Sequence, residues 1–218
     1  MSELLTWQIV DSAFPTGTFT HSWGLEAAWQ FGEMSDVNAL CDFVDSTLLQ
    51  AGYAFVPFMN DAYTEPDALS TLDERADAFL INTVANRASR MQGRTLVATA
   101  GRIWPSDQLK RVQARVSGTR AHVAPVSGAV FEALGLPLPT AQRMVLYGTA
   151  RAVLSAAVRL GIVGSFDAQR MQHACAPRVE EIAGRCALLC SEDVAQTAPL
   201  IDLLQAGHDR LYSRLFQS

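Results

Sequence analysis

Side chains able to do chemistry are few in this 218-residue chain, and most stand in small groups. Cys186 and Cys190 are four residues apart, one helical turn, and such a pair can share a soft metal ion in a helical metal- or small-ligand-binding protein. Thiols are also among the most buried side chains, and the neighbouring Leu188 and Leu189 favour a core position, so no metal site is assigned. His173 lies two residues from Cys175, and His21, His122 and His208 are dispersed; a lone His is more often a surface or hydrogen-bonded group than a ligand. Asp42/Asp45 and Glu180/Glu181 are carboxylate pairs, but acid–base work needs a cleft, and solvated helix faces explain both. Arg87, Arg90 and Arg94 fall at i, i+3 and i+7, a single helical stripe. Such a stripe could meet phosphates or supply an arginine in trans to a GTPase, although a solvated face is its commoner use.

Sharper signatures are missing. There is no Gly-x-x-x-x-Gly-Lys-Ser/Thr, His-Glu-x-x-His, Gly-x-Ser-x-Gly or Gly-x-Gly-x-x-Gly sequence, and Lys110 is the sole lysine. A net charge of −5, with no aromatics interleaved among the arginines, argues against nucleic acid. The catalytic set is therefore expected to be empty.

The elements that must position these groups follow a period of 3.6, with almost no period of 2. The pattern predicts helices near 4–10, 22–31, from Asp36 under a Ser35 cap, over 69–103, from Asp107, between Pro125 and the 135–139 Gly/Pro run, over an apolar 140–160, 165–175, from Pro177, and from Pro199. Val37, Leu40, Cys41, Val44, Leu48 and Leu49 should face inward on the third of these; Phe79, Val84, Ala88, Met91 and Leu96 should do so on the longest. The expectation is an all-α, single-domain bundle of about eight to ten helices spanning 1–218, with the 140–160 helix central. Hydrophobic residues at 49% and charged residues at 18% support a packed core. The best apolar stretch, 144–163, is broken by Arg151 and Arg159, and the first 30 residues hold no Lys or Arg for a signal n-region. A cytoplasmic protein without membrane attachment is expected. Charge is unevenly spread: residues 1–74 carry 12 acids and no Lys or Arg, while 75–120 carry 9 bases against 2 acids. An acidic first third lying on the basic middle, or a partner surface, would each account for this.

Three segments add a resemblance. Residues 14–26 read Phe-Pro-Thr-Gly-Thr-Phe-Thr-His-Ser-Trp-Gly-Leu-Glu; residues 122–128 read His-Val-Ala-Pro-Val-Ser-Gly, followed by Ala133-Leu134-Gly135; residues 212–218 read Tyr-Ser-Arg-Leu-Phe-Gln-Ser. With Ala88–Arg94 and Ala157–Gly161, this order resembles the UreF family of urease accessory proteins over essentially the whole chain. The resemblance implies an all-helical, non-enzymatic chaperone that dimerises, binds UreD (also called UreH), receives the GTPase UreG and engages apo-urease. It implies no stably bound cofactor, nickel being handled transiently by the complex. Carried onto this sequence, it marks Phe14, Pro15, Gly17, Phe19, His21, Leu211, Tyr212, Arg214, Leu215 and Phe216 as partner-binding, within motif 14–26 and tail 209–218. It marks Arg143 and Tyr147, at i and i+4, as a dimer contact, and makes Arg87, Arg90 and Arg94 a possible contact for the GTPase. Phe19 stands where the family often has Tyr. Leu211/Leu215 and Tyr212/Phe216 are i, i+4 pairs, so the tail should be amphipathic if helical, poorly ordered alone and ordered on UreD.

Overall fold

The computed structural model describes residues 3–15 and 21–217, and their regular structure is helical, with no strand among them. The α-helices are α1 (Glu3–Val10), α2 (Leu25–Gln30), α3 (Val37–Ala54), α4 (Val56–Thr64), α5 (Leu69–Phe79), α6 (Thr83–Ile103), α7 (Asp107–Val116), α8 (Val123–Ala133), α9 (Leu138–Arg159), α10 (Ser165–Ala174), α11 (Ala176–Cys186) and α12 (Pro199–Ala206). Short 3-10 turns lie at Pro66–Ala68 and Gly207–Arg210. The elements pack as one all-α domain.

The enclosed centre is α8, not α9. Eight consecutive α8 residues, Ala124 to Phe131, are buried. No charge interrupts that run, and Pro125 sits in the first turn, where its missing N–H needs no partner. Helix α9 is buried on one side only and leaves Arg143 and Tyr147 on the surface. Helix α8 crosses α4 at very short range: a Cβ on Gly128 would lie 2.2 Å from the Met59 carbonyl oxygen. Gly93 of α6 makes a similar approach, 2.0 Å from the Ala121 carbonyl oxygen, while Ala121 itself has φ +65°. Two motif glycines thus bring backbones together where any side chain would part them.

That approach docks the α7–α8 loop. Asp73 accepts the backbone N–H of Arg120 (2.7 Å) and of His122 (2.6 Å). The fully buried His122 ring lies 3.1 Å from both Ser89 Oγ and Asp77 Oδ1, and burial lowers its pKa despite the nearby Asp77 and Asp73 carboxylates. Arg115 pairs with Asp67 and Arg120 with Asp77. The Asp67 and Asp73 contacts join the acidic first third to the basic middle.

Several expectations are corrected. The 69–103 segment is two helices: Asn82 Oδ1 caps α6 at Val84 (3.0 Å) and Ala85 (3.3 Å), and Asn86 Nδ2 donates to the Leu80 carbonyl (3.1 Å). Met91 faces out. Helix α3 begins one residue later than expected, capped by Asp36, whose side chain accepts from Ala39 N (2.9 Å). Val37 and Cys41 are exposed; Leu40, Val44 and Leu48 are buried. The all-α single-domain bundle is as expected, and among the described residues α4 and the α5/α6 break add helices that do not stand out in the periodicity.

Candidate partner-binding surfaces

The N-terminal motif and the C-terminal tail, almost two hundred residues apart, meet on one side of the bundle. Phe14 enters the core and stacks on Trp104, ring centroids 5.5 Å apart. Thr99 Oγ1 donates to the Pro15 carbonyl (3.0 Å) and pins the turn to α6. Gly17 and Phe19 lie outside the described residues. The described chain resumes at His21 and Ser22, both buried, then turns through Trp23 (φ +58°) and Gly24 (φ +86°) into α2. Gly24 is needed twice over: its φ is left-handed, and a Cβ would come within 3.3 Å of Gln205. Burial, with His208 adding to it, pushes the His21 imidazole down to about 4.

In the first turn of α2, Glu26 is almost fully buried, flanked by Leu25, Ala27 and Ala28. Its carboxylate accepts the N–H of Leu215 (2.6 Å) and of Phe216 (3.2 Å), and lies 3.1 Å from His208 Nε2. Arg159 of α9 closes the other side: Nη2 donates to the Leu215 carbonyl (3.3 Å) and its guanidinium lies 4.0 Å from the Phe216 ring centre. Gln30 Nε2 donates to the Ser213 carbonyl (2.9 Å).

The tail is therefore not helical beyond Arg210, contrary to expectation, and packs as irregular chain against α2 and α9. Side chains from α2 and α9 take up backbone groups that a helix would have paired internally. Leu211 and Phe216 are buried, so they hold the tail; Tyr212 and Leu215 project into solvent, and Arg214 is half-exposed. Trp29 and Phe31 at the end of α2, with Leu200 and Leu203 of α12, are also exposed on elements that touch the tail's 3-10 turn or each other.

The arginine stripe divides. Arg87 forms a two-bond pair with Asp209 (2.8 and 3.2 Å), which Arg214 also approaches at 3.4 Å. The Arg87 hydrogen bonds hold the Asp209 carboxyl below its usual range. His21, Arg87, Met91, Arg214, Phe216 and Gln217 line a cleft of about 410 Å³ between α6 and the tail. Arg90 leans back on Asn86 Oδ1 (3.3 Å). Arg94 is exposed, with no hydrogen bond or ion pair to a described side chain.

On the far face Arg143 Nε lies 2.8 Å from both oxygens of Glu180, and its Nη1 donates to the Pro139 carbonyl (3.1 Å); Tyr147 is exposed beside it. The intramolecular partner of Arg143 is thus Glu180. Arg178 pairs with Asp45 of α3 and, one turn along its own helix, with Glu181, so Asp45 and Glu180 are the members of the two carboxylate pairs that serve ion pairs between helices. Cys186 is buried at the end of α11, which raises its thiol pKa, whereas Cys190 lies beyond the helix with Sγ 3.2 Å from Asp193 Oδ2. The helical pairing of the two cysteines does not form, and Leu188 is exposed rather than core. Among the described residues, no group of three or more His, Cys, Asp or Glu side chains is arranged to hold a metal ion, and no helix is long and apolar enough to cross a membrane.

The pairing of Glu26 with His208 is not foreseen from the sequence. The available signal is an acid set among Leu25, Ala27 and Ala28 on a short apolar helix. Its partner, 182 residues away, leaves no local trace.

The described residues thus form an all-helical body in which the start of motif 14–26, Glu26 and the C-terminal tail meet. Comparison with known proteins gives the class a name. The UreF family profile matches residues 34–176. Relatives called urease accessory protein F include one from Oryza sativa subsp. indica, 36% identical over 96% of this chain and 83% of the rice protein. Another, from Arabidopsis thaliana, is 37% identical over 97% of this chain and 91% of its own length. A urease accessory protein UreF from Rhodopseudomonas palustris (strain BisB5) is 30% identical over 99% of this chain and 90% of its own. The chain belongs to the UreF family of urease accessory proteins.

Proposed function

We propose that this chain is a scaffold in urease maturation: it captures UreD through the α2/α12/tail surface, receives the GTPase UreG, and modulates GTP-dependent delivery of nickel to apo-urease. Nickel is the cargo of that assembly, handled in transit in the cytoplasm. The observation that carries this reading is the meeting of motif 14–26 and tail 209–218 around Glu26, beside exposed Tyr212, Leu215, Trp29 and Phe31. An accessory role in urease maturation follows from the family; the partners are the proposal.

The buried and exposed members of the motifs divide the work. Phe14, Leu211 and Phe216 anchor the surface from within, and Tyr212, Leu215 and Arg214 are offered to a partner. Aromatic and leucine side chains held on a fixed backbone make good interface anchors because little rotamer freedom is lost on docking. A second protomer is proposed to pack on Tyr147 and Arg143 of α9, leaving the two surfaces free to work together.

Size-exclusion chromatography of purified chain, UreD and UreG tests this directly. The intact protein should give a UreD complex that UreG then joins. Tyr212→Ser with Leu215→Ser removes only exposed side chains, so melting should be unchanged while UreD capture weakens by about tenfold or more. Unaltered capture by this variant, or failure of the intact chain to form any complex, refutes the proposal.

A further inference from the structure

We infer that Glu26 is a positioning residue for partner capture: its buried carboxylate holds the backbone of Leu215 and Phe216, and so presents Tyr212 and Leu215 in a fixed attitude. The inference rests on the proposed capture of UreD by the tail and adds the device that sets the tail for it.

Three donors converge on the carboxylate: the N–H groups of Leu215 and Phe216, and His208 Nε2. Only an acceptor-only group with two oxygens can serve three donors in so small a space. Glutamine keeps the shape but turns one acceptor into an NH₂, which would face donors. The carboxylate is itself fixed: it sits early in α2, whose entry is set by Gly24, and the Glu26 N–H lies 3.4 Å from Ser22 Oγ. A buried charge is tolerated only where such bonds compensate its lost hydration, and here two of the three come from the tail backbone.

The geometry also separates holding from presenting. Main-chain atoms of 215 and 216 are spent on Glu26 and Arg159, and the Phe216 ring goes inward beneath the Arg159 guanidinium. The Leu215 side chain, 62% exposed, and the fully exposed Tyr212 are left with no part in the latch. Their direction is therefore set by a residue that need touch no partner.

Amide hydrogen exchange on the intact protein, read by mass spectrometry, is the first measurement. In Glu26→Gln the amides of 211–217 should exchange roughly tenfold faster or more, the ratio expected for losing a charge-assisted hydrogen bond, while amides of α4, α8 and α9 keep their protection. Capture of purified UreD should weaken in parallel. Because a buried change could unfold the chain, Arg159→Gln provides a second variant, loosening the tail from the exposed side of α9. It should speed exchange at 215–216 and weaken capture without altering the core. Unchanged tail exchange in both variants overturns the inference. So does faster exchange with full capture, provided that Tyr212→Ser with Leu215→Ser still loses UreD. Full capture by that exposed-side-chain variant overturns the underlying reading of the tail as well.

Discussion

Replacing Gly128 by alanine puts one methyl group where α8 crosses α4. The added carbon would lie 2.2 Å from the Met59 carbonyl oxygen, 2.8 Å from Tyr63 N and 3.0 Å from Ala62 Cβ. Ordinary contact begins at 3.4 Å, so the first distance is short by 3.4 − 2.2 = 1.2 Å. Two of the three obstacles are backbone, which cannot swing aside as a side chain would; the helices must separate. Overpacking of this kind costs about 1–3 kcal/mol, and a backbone clash belongs at the upper end. Alanine returns about 1 kcal/mol through its better helix propensity. A net loss of about 2 kcal/mol should lower the melting temperature by roughly 4–8 °C in a domain this size. Gly184 is the control: it is exposed in α11, and a methyl group there would meet nothing within 4 Å, so Gly184→Ala should raise stability by about 0.5–1 kcal/mol. Thermal melting by circular dichroism, backed by urea titration, reads both. If Gly128→Ala melts at or above the parent while Gly184→Ala behaves as stated, the close crossing is not what that glycine serves.

Acid should weaken the fold early. His21 titrates at about 4 in the folded chain against an ordinary 6.5, so between those values the unfolded chain binds a proton that the folded chain refuses. Stability should be complete above pH 6.5 and fall by up to about 3 kcal/mol toward pH 4, with His122 acting in the same sense; a urea midpoint flat from pH 7 to 4.5 would contradict this. Arg94→Ala, Arg90→Ala and Arg87→Ala should each lower UreG turnover in the assembled complex only slightly, whereas loss of a true in-trans arginine costs about 10³-fold or more. Arg94 is the one to watch, since Arg87 is engaged by Asp209 and Arg90 by Asn86. Arg143→Ala with Tyr147→Asp should shift the protein toward a single protomer by light scattering, because a symmetric contact meets the unpaired Asp twice; an unchanged mass rejects this face.

How much of this is open to a reader of the sequence depends on distance along the chain. Helix starts are legible because their signals are local: Ser106 caps α7, and Pro177 and Pro199 open α11 and α12. The α5/α6 break is local too, but Asn82 lies inside a long periodic run, where nothing in the pattern marks it as a cap. The family motifs can be read as strings without revealing their physics. Gly93 and Gly128 are contact points between backbones, and His122 is the buried peg of a docked loop. The tail misleads for a long-range reason. Its i, i+4 spacing suits a helix, yet Glu26, Gln30 and Arg159 satisfy its backbone from outside, and that competition is invisible within residues 209–218. Tyr147 and Arg143 do stand on the surface of α9 as their spacing suggests, while the Glu180 that engages Arg143 lies on another helix.

The bond from Leu215 to Glu26 spans 189 residues. A ribosome makes Glu26 long before Leu215, so through most of that interval the acid waits in α2 without its backbone partners. Products that stop short of residue 215 share that condition: they carry the carboxylate but lack the tail segment that covers it. The acid acquires these two backbone partners only once both ends of the chain exist, so the attitude of Tyr212 is a property of the whole chain and of no fragment ending before residue 215.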